Sequence, residues 1–182
     1  NGYATLDYFY VLHGSHEVVS HAQGLVQPLS LDHGSETTSC TQKYARLLED
    51  DGSQSCDAGH ILANRLGGYG NTPYNIFPQN ASVNRGTYSQ FEGYIYDYIQ
   101  KINNSAKLTW VFFYNENATM PYMVNYSAYF MDGYILNSLF PNECIDWTLE
   151  QFKKKAILTL YEHLDLDSDT NKSIKNFNTL NK

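Results

Sequence analysis

The chain of 182 residues contains no run of apolar residues that approaches the roughly 18 needed to cross a bilayer, so we expect no membrane partner. It also contains no internal repeat. A chain of this length is expected to fold as a single domain with a sizeable core. We place that domain at residues 1–164 and interpret the polar residues 165–182 as a loosely held tail.

Basic residues are scarce: the chain has 12 Lys and Arg against 19 Asp and Glu, a formal net charge of −7 at pH 7. Proteins that bind nucleic acids usually contact phosphates with clustered Lys and Arg, so this balance favours an acidic protein without a polyanionic partner. Basic residues that could still contact phosphates lie at Arg65, at Arg85 and in the lysine run 153–155. The lysine run also fits the solvated face of a helix.

Cysteine is also rare, and the three residues Cys40, Cys56 and Cys144 leave one without a partner in the chain. A bridge between Cys40 and Cys56 would close 15 intervening residues and stabilise the fold by about 3 kcal/mol in the chain-entropy model. Three reduced cysteines in a cytosolic protein are the alternative. His13-x-x-His16 has no cysteine pair at zinc-site spacing to complete a ligand shell, so we assign no zinc site there.

Five Asn-x-Ser/Thr sequons are compatible with a secreted glycoprotein, and they favour the disulfide over the reduced alternative. They lie at Asn80, Asn103, Asn117, Asn125 and Asn171. Several such triplets also arise by chance in an asparagine-rich sequence. The first residue is Asn1 rather than methionine, which is compatible with removal of an upstream signal or pro-segment. We therefore expect a secreted protein.

Hydrophobic periodicity and turn residues predict a mixed α+β fold. Strands are expected at 3–12, 17–26, 107–114, 122–131 and 134–140. Helices are expected at 42–49, 81–103 and 148–164. The longest helix carries an apolar stripe formed by Phe91, Tyr94, Ile95, Tyr98, Ile99 and Ile102, with Glu92 at its edge.

The stretch from Asp57 to Glu92 contains the side chains with the clearest chemistry. Hydrolysis of a phosphodiester needs a base that accepts a proton from water and a cation that neutralises the developing charge. His60 is the side chain in this stretch that is a neutral base near pH 7 without a large pKa shift. Asn84 offers a hard carbonyl oxygen of the kind that Mg²⁺ accepts. On a continuous helix, Glu92 would lie about 80° from Asn84 in azimuth, where a carboxylate could hold water of the metal shell.

Four motifs follow one another in this stretch: Asp57-Ala58-Gly59-His60, Asn75-Ile76-Phe77-Pro78-Gln79, Asn84-Arg85-Gly86 and Glu92. Together they resemble the non-specific DNA/RNA endonucleases of the ββα-metal, or His-Me finger, superfamily. The resemblance implies a ββα-metal finger packed on an antiparallel β-sheet. The two strands of this finger would be residues 56–62 and 75–78. It also implies an Mg²⁺-dependent enzyme, with Mn²⁺ as a substitute, that cuts DNA and RNA with little sequence preference and leaves 5′-phosphate ends.

By the same resemblance, His60 is the general base, Asn84 the direct magnesium ligand and Glu92 a holder of metal-bound water. Asn75 would support the finger or the scissile phosphate, and Asp57 belongs to the catalytic motif. Taken singly, each of these residues is more often a turn, cap or surface residue. Six positions in register make it improbable that all of them are incidental.

Arg65 and Arg85 are the expected substrate contacts, and a bound Mg²⁺ would add two positive charges where the acidic chain lacks them. Ala58 departs from the family pattern, because many members have arginine there, and we interpret it as the mark of a D-A-G-H branch. Three hypotheses stay open: a nuclease that cuts DNA and RNA, a nuclease that cuts one of them, and a binding protein on an inactive finger scaffold. The acidic charge and Ala58 argue for the last.

Overall fold

The computed structural model describes residues 4–50 and 56–142, and these residues belong to one compact unit. The predicted helix 148–164, the tail 165–182, the lysine run 153–155 and Cys144 lie outside the described residues. No helix within the described ranges is long and apolar enough to span a membrane.

The described residues form seven strands and three α-helices. The strands are β1 Thr5–His13, β2 His16–Val26, β3 Asp57–His60, β4 Ile76–Gln79, β5 Ala106–Phe113, β6 Met123–Phe130 and β7 Ile135–Pro141. The helices are α1 Ser39–Leu48, α2 Ala81–Val83 and α3 Ser89–Ile102. Five strands make an antiparallel sheet in the order β1-β2-β5-β6-β7, and β3 pairs with β4 in a separate hairpin. The predicted α+β fold is therefore confirmed.

The inner face of the sheet is clearest in β6, where apolar residues recur at every second position. Val124, Tyr126, Ala128 and Phe130 are all buried on one face, as the alternating pattern predicts. The strand then turns into β7 through Gly133, which has a left-handed φ of 89° that suits glycine. Burial on one face fixes the register, because a slip by one residue would expose every core side chain.

The finger is the hairpin of β3 and β4, in which His60 lies opposite Ile76. Its connection contains two 3₁₀ turns, Asn64–Leu66 and Pro73–Asn75. Phe77 of β4 is 1% exposed and packs its ring 5.1 Å from that of Phe112 in the sheet. This aromatic contact anchors the finger to the sheet.

α1 covers the outer side of the finger, where Ala45 packs with Cys56 and Ile76. The helix begins at Ser39, three residues before the predicted start, because Thr38 caps it by accepting a hydrogen bond from the Thr41 backbone N–H. Its position beside β3 brings the last turn of α1 close to the site residues described below.

The helix that follows the finger is interrupted, whereas the sequence predicted a continuous helix from residue 81. Residues Asn84–Tyr88 form a π-turn between α2 and α3, and Gly86 within it has a φ of −111° and a ψ of −110°. A π-turn is wider than an α-turn. The azimuth expected between Asn84 and Glu92 on an ideal helix was therefore wrong.

α3 also buries a different set of side chains from the predicted stripe. Ile95 and Ile99 are fully buried, but Tyr94 is 66% exposed. Tyr88 and Glu92 continue the buried line toward the N-terminus, at intervals of four, three and four residues. Glu92 thus lies in the centre of the buried face instead of at its edge.

Cys40 and Cys56, both among the described residues, do not form the predicted disulfide. Cys40 is an exposed thiol on α1, whereas Cys56 is buried beneath that helix. α1 turns Thr41, Ala45 and Leu48 inward. Cys40 precedes Thr41 by one residue and is therefore rotated about 100° away from the buried face.

Candidate active site

An open cleft of about 370 Å³ beside the finger is lined by four of the predicted site residues. His60 reaches it from the end of β3, Asn84 from the π-turn and Glu92 from α3, while Arg65 comes from the first 3₁₀ turn of the finger. The other lining residues are Asp32, Glu36, Ala63, Asn64 and Ser89. The fold therefore brings a base, an amide, a carboxyl group and a cation to one surface.

His60 is held through one of its ring nitrogens. Its Nε2 lies 3.0 Å from the carbonyl oxygen of Ser35. A carbonyl oxygen accepts hydrogen bonds and donates none, so in the neutral ring Nε2 carries the proton and Nδ1 is the basic nitrogen. Burial lowers the pKa of His60, and it outweighs the opposing effects of the Ser35 hydrogen bond and the Glu36 charge. The imidazole is therefore neutral at pH 7.

The close approach of this ring to the backbone depends on Gly70. A Cβ atom at this position would lie 2.5 Å from Nε2 of His60 and 2.6 Å from backbone atoms of Glu36 and Thr37. The Gly70 N–H also donates to the Ser35 carbonyl oxygen at 3.0 Å, so this oxygen accepts from both the ring and the main chain. Two loops that are distant in the sequence therefore meet at the imidazole.

Asp57 fixes the side chains of Asn84 and Arg85. Its Oδ2 accepts from Asn84 Nδ2 at 2.9 Å and from Arg85 Nε at 2.8 Å, and its Oδ1 accepts from Arg85 Nη2 at 2.6 Å. Burial raises the pKa of Asp57, but the hydrogen bonds from Arg85 and Asn84 and the Arg85 charge together bring it below its usual value. Because an ionised carboxylate can accept but not donate, Asn84 presents its NH₂ to Asp57 and keeps Oδ1 without a partner among the described residues.

Glu92 is a buried carboxyl group with one unsatisfied oxygen. The residue is 8% exposed, and its Oε1 has no hydrogen-bond partner within the described part of the chain. Burial raises the pKa of Glu92 to about 8, against the opposing charge of Arg65. An unsatisfied buried oxygen is costly, and a cation or a proton from the cleft would relieve that cost.

Asn75 is 1% exposed and uses its side chain inside the protein. Its Oδ1 accepts from the Leu62 N–H at 2.9 Å and from the Tyr8 hydroxyl at 3.1 Å. Its Nδ2 donates to the carbonyl oxygens of Leu62 at 2.9 Å and Tyr69 at 3.3 Å. These contacts hold the connection of the finger, and they leave the amide no free group for a phosphate.

Sequence reasoning missed the residues that surround His60. Ser35 lies 25 residues before it and contributes a main-chain oxygen, which no side-chain pattern can mark. Glu36 lines the cleft and accepts from Asn64 Nδ2 at 2.6 Å, a contact that also links distant segments. The one available signal was Gly70 in a glycine-rich segment, since such a glycine indicates close approach of another backbone.

A family model described as DNA/RNA non-specific endonuclease matches residues 3–130. The probable deoxyribonuclease RhsA of Dickeya dadantii (strain 3937) is 37% identical over 130 residues, which cover 71% of this chain and 9% of that protein. The chain thus spans less than a tenth of the length of this relative.

Two solved structures share the fold. One, described as the structure of Sda1 nuclease with bound zinc ion, superposes with a TM-score of 0.60 at 14% identity, covering 79% of this chain and 77% of that one. The other, described as an extracellular endonuclease, gives a TM-score of 0.54 at 11% identity and covers 80% and 82%. At these identities the two structures support the architecture alone.

Proposed function

This chain belongs to the DNA/RNA non-specific endonuclease family, and we propose on that basis that it hydrolyses phosphodiester bonds of DNA and RNA with Mg²⁺ as its cofactor. Mn²⁺ is expected to substitute. The observation that carries the proposal is the composition of one cleft. It is lined by the neutral imidazole of His60, by the Asn84 amide and by the Glu92 carboxyl group. Among the described residues, neither Asn84 Oδ1 nor Glu92 Oε1 has a hydrogen-bond partner.

The donor set fits a hard divalent cation. Mg²⁺ prefers oxygen ligands and keeps several waters, so Asn84 as a direct ligand and Glu92 acting through water would hold it. Among the described residues, no three His, Cys, Asp or Glu side chains form a cluster able to hold a metal, which makes the Asn84 amide oxygen central. When bound, the cation would neutralise the charge that develops on the phosphate and on the leaving oxygen.

His60 would act as the general base. Its Nδ1 carries no proton in the neutral ring and has no partner among the described residues, so it can accept a proton from the attacking water. The bond from Nε2 to Ser35 orients the ring and persists in the imidazolium, because Nε2 donates in both forms. A base of this kind typically contributes about 10²- to 10⁴-fold in rate.

The remaining polar residues would position the substrate and the catalytic groups. Arg65 lines the cleft beside Glu92, where its guanidinium can contact an entering phosphate. The Arg85 side chain is 74% exposed although it pairs with Asp57, so it can exchange that bond for a phosphate contact. Asp57 would orient the Asn84 amide, and Asn75 would stabilise the finger from inside the protein.

The test is cleavage of a supercoiled plasmid and of a structured RNA, each with Mg²⁺ and with excess EDTA. We expect both substrates to be cut when Mg²⁺ is present, and neither to be cut in EDTA. His60→Ala should remove the activity, and His21→Ala is the matched control because His21 is an exposed imidazole on β2, outside the cleft. Equal activity of the two variants would contradict the assignment of the base.

A narrower activity on DNA alone is the second candidate, because the curated relative is described as a deoxyribonuclease. The same pair of substrates separates the two candidates: an intact RNA beside a cut plasmid supports the narrower one. If neither substrate is cut under any metal condition, the nuclease proposal fails and the alternative that stays open is a binding protein on an inactive finger.

We also propose that the protein is secreted. Its five sequons support this location, and one of the two solved structures that share its fold is described as an extracellular endonuclease. Asn80 is expected to stay unmodified, since it lies between Asn75 and Asn84 in the chain and a glycan there would crowd the substrate. Mass spectrometry of the protein from its natural source would show whether the other sequons carry glycans.

A further inference from the structure

A second cleft, of about 350 Å³, adjoins the first at Asn84, which lines both. Gln42 and Arg46 of α1 form one wall of this second cleft, and Asp57 and Arg85 lie on the finger and the π-turn. The other lining residues are Thr37, Cys56 and Ala58. The two clefts together make a groove that has the proposed metal ligand at its middle.

The two halves of the groove differ in charge. The first half contains three carboxyl groups and one arginine, whereas the second contains two arginines and the single carboxylate of Asp57. The chain has three arginines, Arg46, Arg65 and Arg85, and all of them line this groove despite a net charge of −7. A divalent cation complements the charge of the first half, and a phosphate complements that of the second.

Arg46 is the cation of the second half that has no partner in the described part of the chain. Arg85 forms a bidentate pair with Asp57, but Arg46 makes neither an ion pair nor a hydrogen bond to any residue within 4–50 and 56–142. It is exposed in the last turn of α1, and Gln42 lies one helical turn before it on the same face. A guanidinium and an amide therefore face the groove side by side.

We propose that Arg46 and Gln42 form a subsite for the phosphate next to the scissile one, on a strand that runs along the groove past Asn84. The inference rests on the proposed nuclease function, because the scissile phosphate would occupy the first cleft. Arginine matches phosphate oxygens with its planar fork, and Gln42 Nε2 can donate to the same group. The subsite would make cleavage depend on phosphates beyond the scissile one.

The subsite is tested by the salt dependence of binding. Fluorescence anisotropy of a labelled single-stranded DNA is measured against NaCl concentration, in a His60→Ala background that binds without cutting. Each phosphate contact contributes about 0.7 to the slope of log K against log salt for single strands, so Arg46→Gln should reduce the slope by about that amount. Arg46→Lys keeps the charge and should retain most of the slope.

Lys43→Gln is the matched control, since it removes one positive charge from an exposed position of α1 outside the groove lining. With His60 restored, Arg46→Gln should lower kcat/KM about tenfold on a long single strand, because one charge-assisted contact is lost. On a dinucleotide the decrease should be smaller. An unchanged salt slope for Arg46→Gln, or an equal change of slope for Lys43→Gln, overturns the subsite. In that case, cleavage of nucleic acid by the unsubstituted protein would still support the proposed function. If the unsubstituted protein neither binds nor cuts nucleic acid, both proposals fail.

Discussion

Replacement of Glu92 by glutamine tests the site through the pH dependence of stability. Burial raises the pKa of Glu92 from 4.5 to about 8. Between these values the folded protein retains a proton that the unfolded chain has lost, so the folded state loses stability as the pH rises through this window. Glu92→Gln keeps the shape of the side chain and removes this titration.

The magnitude follows from the same two pKa values. Within the window, each pH unit lowers the stability of the unsubstituted protein by about 1.4 kcal/mol relative to the variant. At pH 7 the metal-free variant should therefore be more stable by about 3 kcal/mol, while near pH 4.5 the two proteins should be equal. Mg²⁺ should stabilise the unsubstituted protein more than the variant, because the ionised carboxylate gains a counter-charge and the amide does not.

Urea unfolding followed by circular dichroism would measure these differences, in EDTA and in Mg²⁺, between about pH 5 and pH 8. Glu17→Gln is the matched control, because Glu17 is exposed on β2 and away from both clefts. If the stability difference between Glu92→Gln and the unsubstituted protein stays constant over this range, the buried ionisation is refuted. The reason for placing a cation beside Glu92 would fail with it.

Three further predictions concern the other site residues. Asn84→Ala should abolish cleavage with an unchanged circular dichroism spectrum, and retained Mg²⁺-dependent activity would contradict its role as ligand. His60→Gly should lose at least about 10²-fold in rate and regain part of it with added imidazole when Mg²⁺ is present, whereas parallel loss of activity and folding would make His60 structural. The cleavage rate should fall in acid only below about pH 6.5, because burial lowers the pKa of His60. Glu36→Gln should move this decline to lower pH, because the Glu36 charge raises the pKa of His60. A pH–rate profile of each protein checks both expectations.

The elements of the sheet could be predicted because burial on one face imposes a pattern on the sequence. In β6 the alternation from Val124 to Phe130 identifies both the strand and its inner face. The π-turn at Asn84–Tyr88 could not be predicted in the same way, since its apolar spacing also fits an unbroken helix. The exposure of Tyr94 and the burial of Glu92 follow from the packing of α3 on the sheet, which local sequence does not specify.

In the candidate site, too, some residues could be predicted from the sequence and others could not. The order of His60, Asn84 and Glu92 along the chain was recognisable, and the fold brings all three to one cleft. Their partners were not recognisable: Ser35 acts through its backbone, and Arg46 reaches the groove because of the way α1 packs on the finger. The failed Cys40 prediction has a similar cause, because sequence separation says nothing about which face of α1 a thiol occupies.

The hydrogen bond from His60 to a main-chain oxygen determines which mutations near Ser35 this site tolerates. Every amino acid carries a backbone carbonyl, so no substitution at position 35 deletes the acceptor. A point mutation at position 35 therefore leaves the tautomer of His60 unchanged. The hydrogen bond is instead sensitive to the length of this loop. An insertion or deletion between Ser35 and α1 would displace the carbonyl oxygen, although every motif residue would stay in place. Among natural variants, this loop should therefore vary in composition far more than in length.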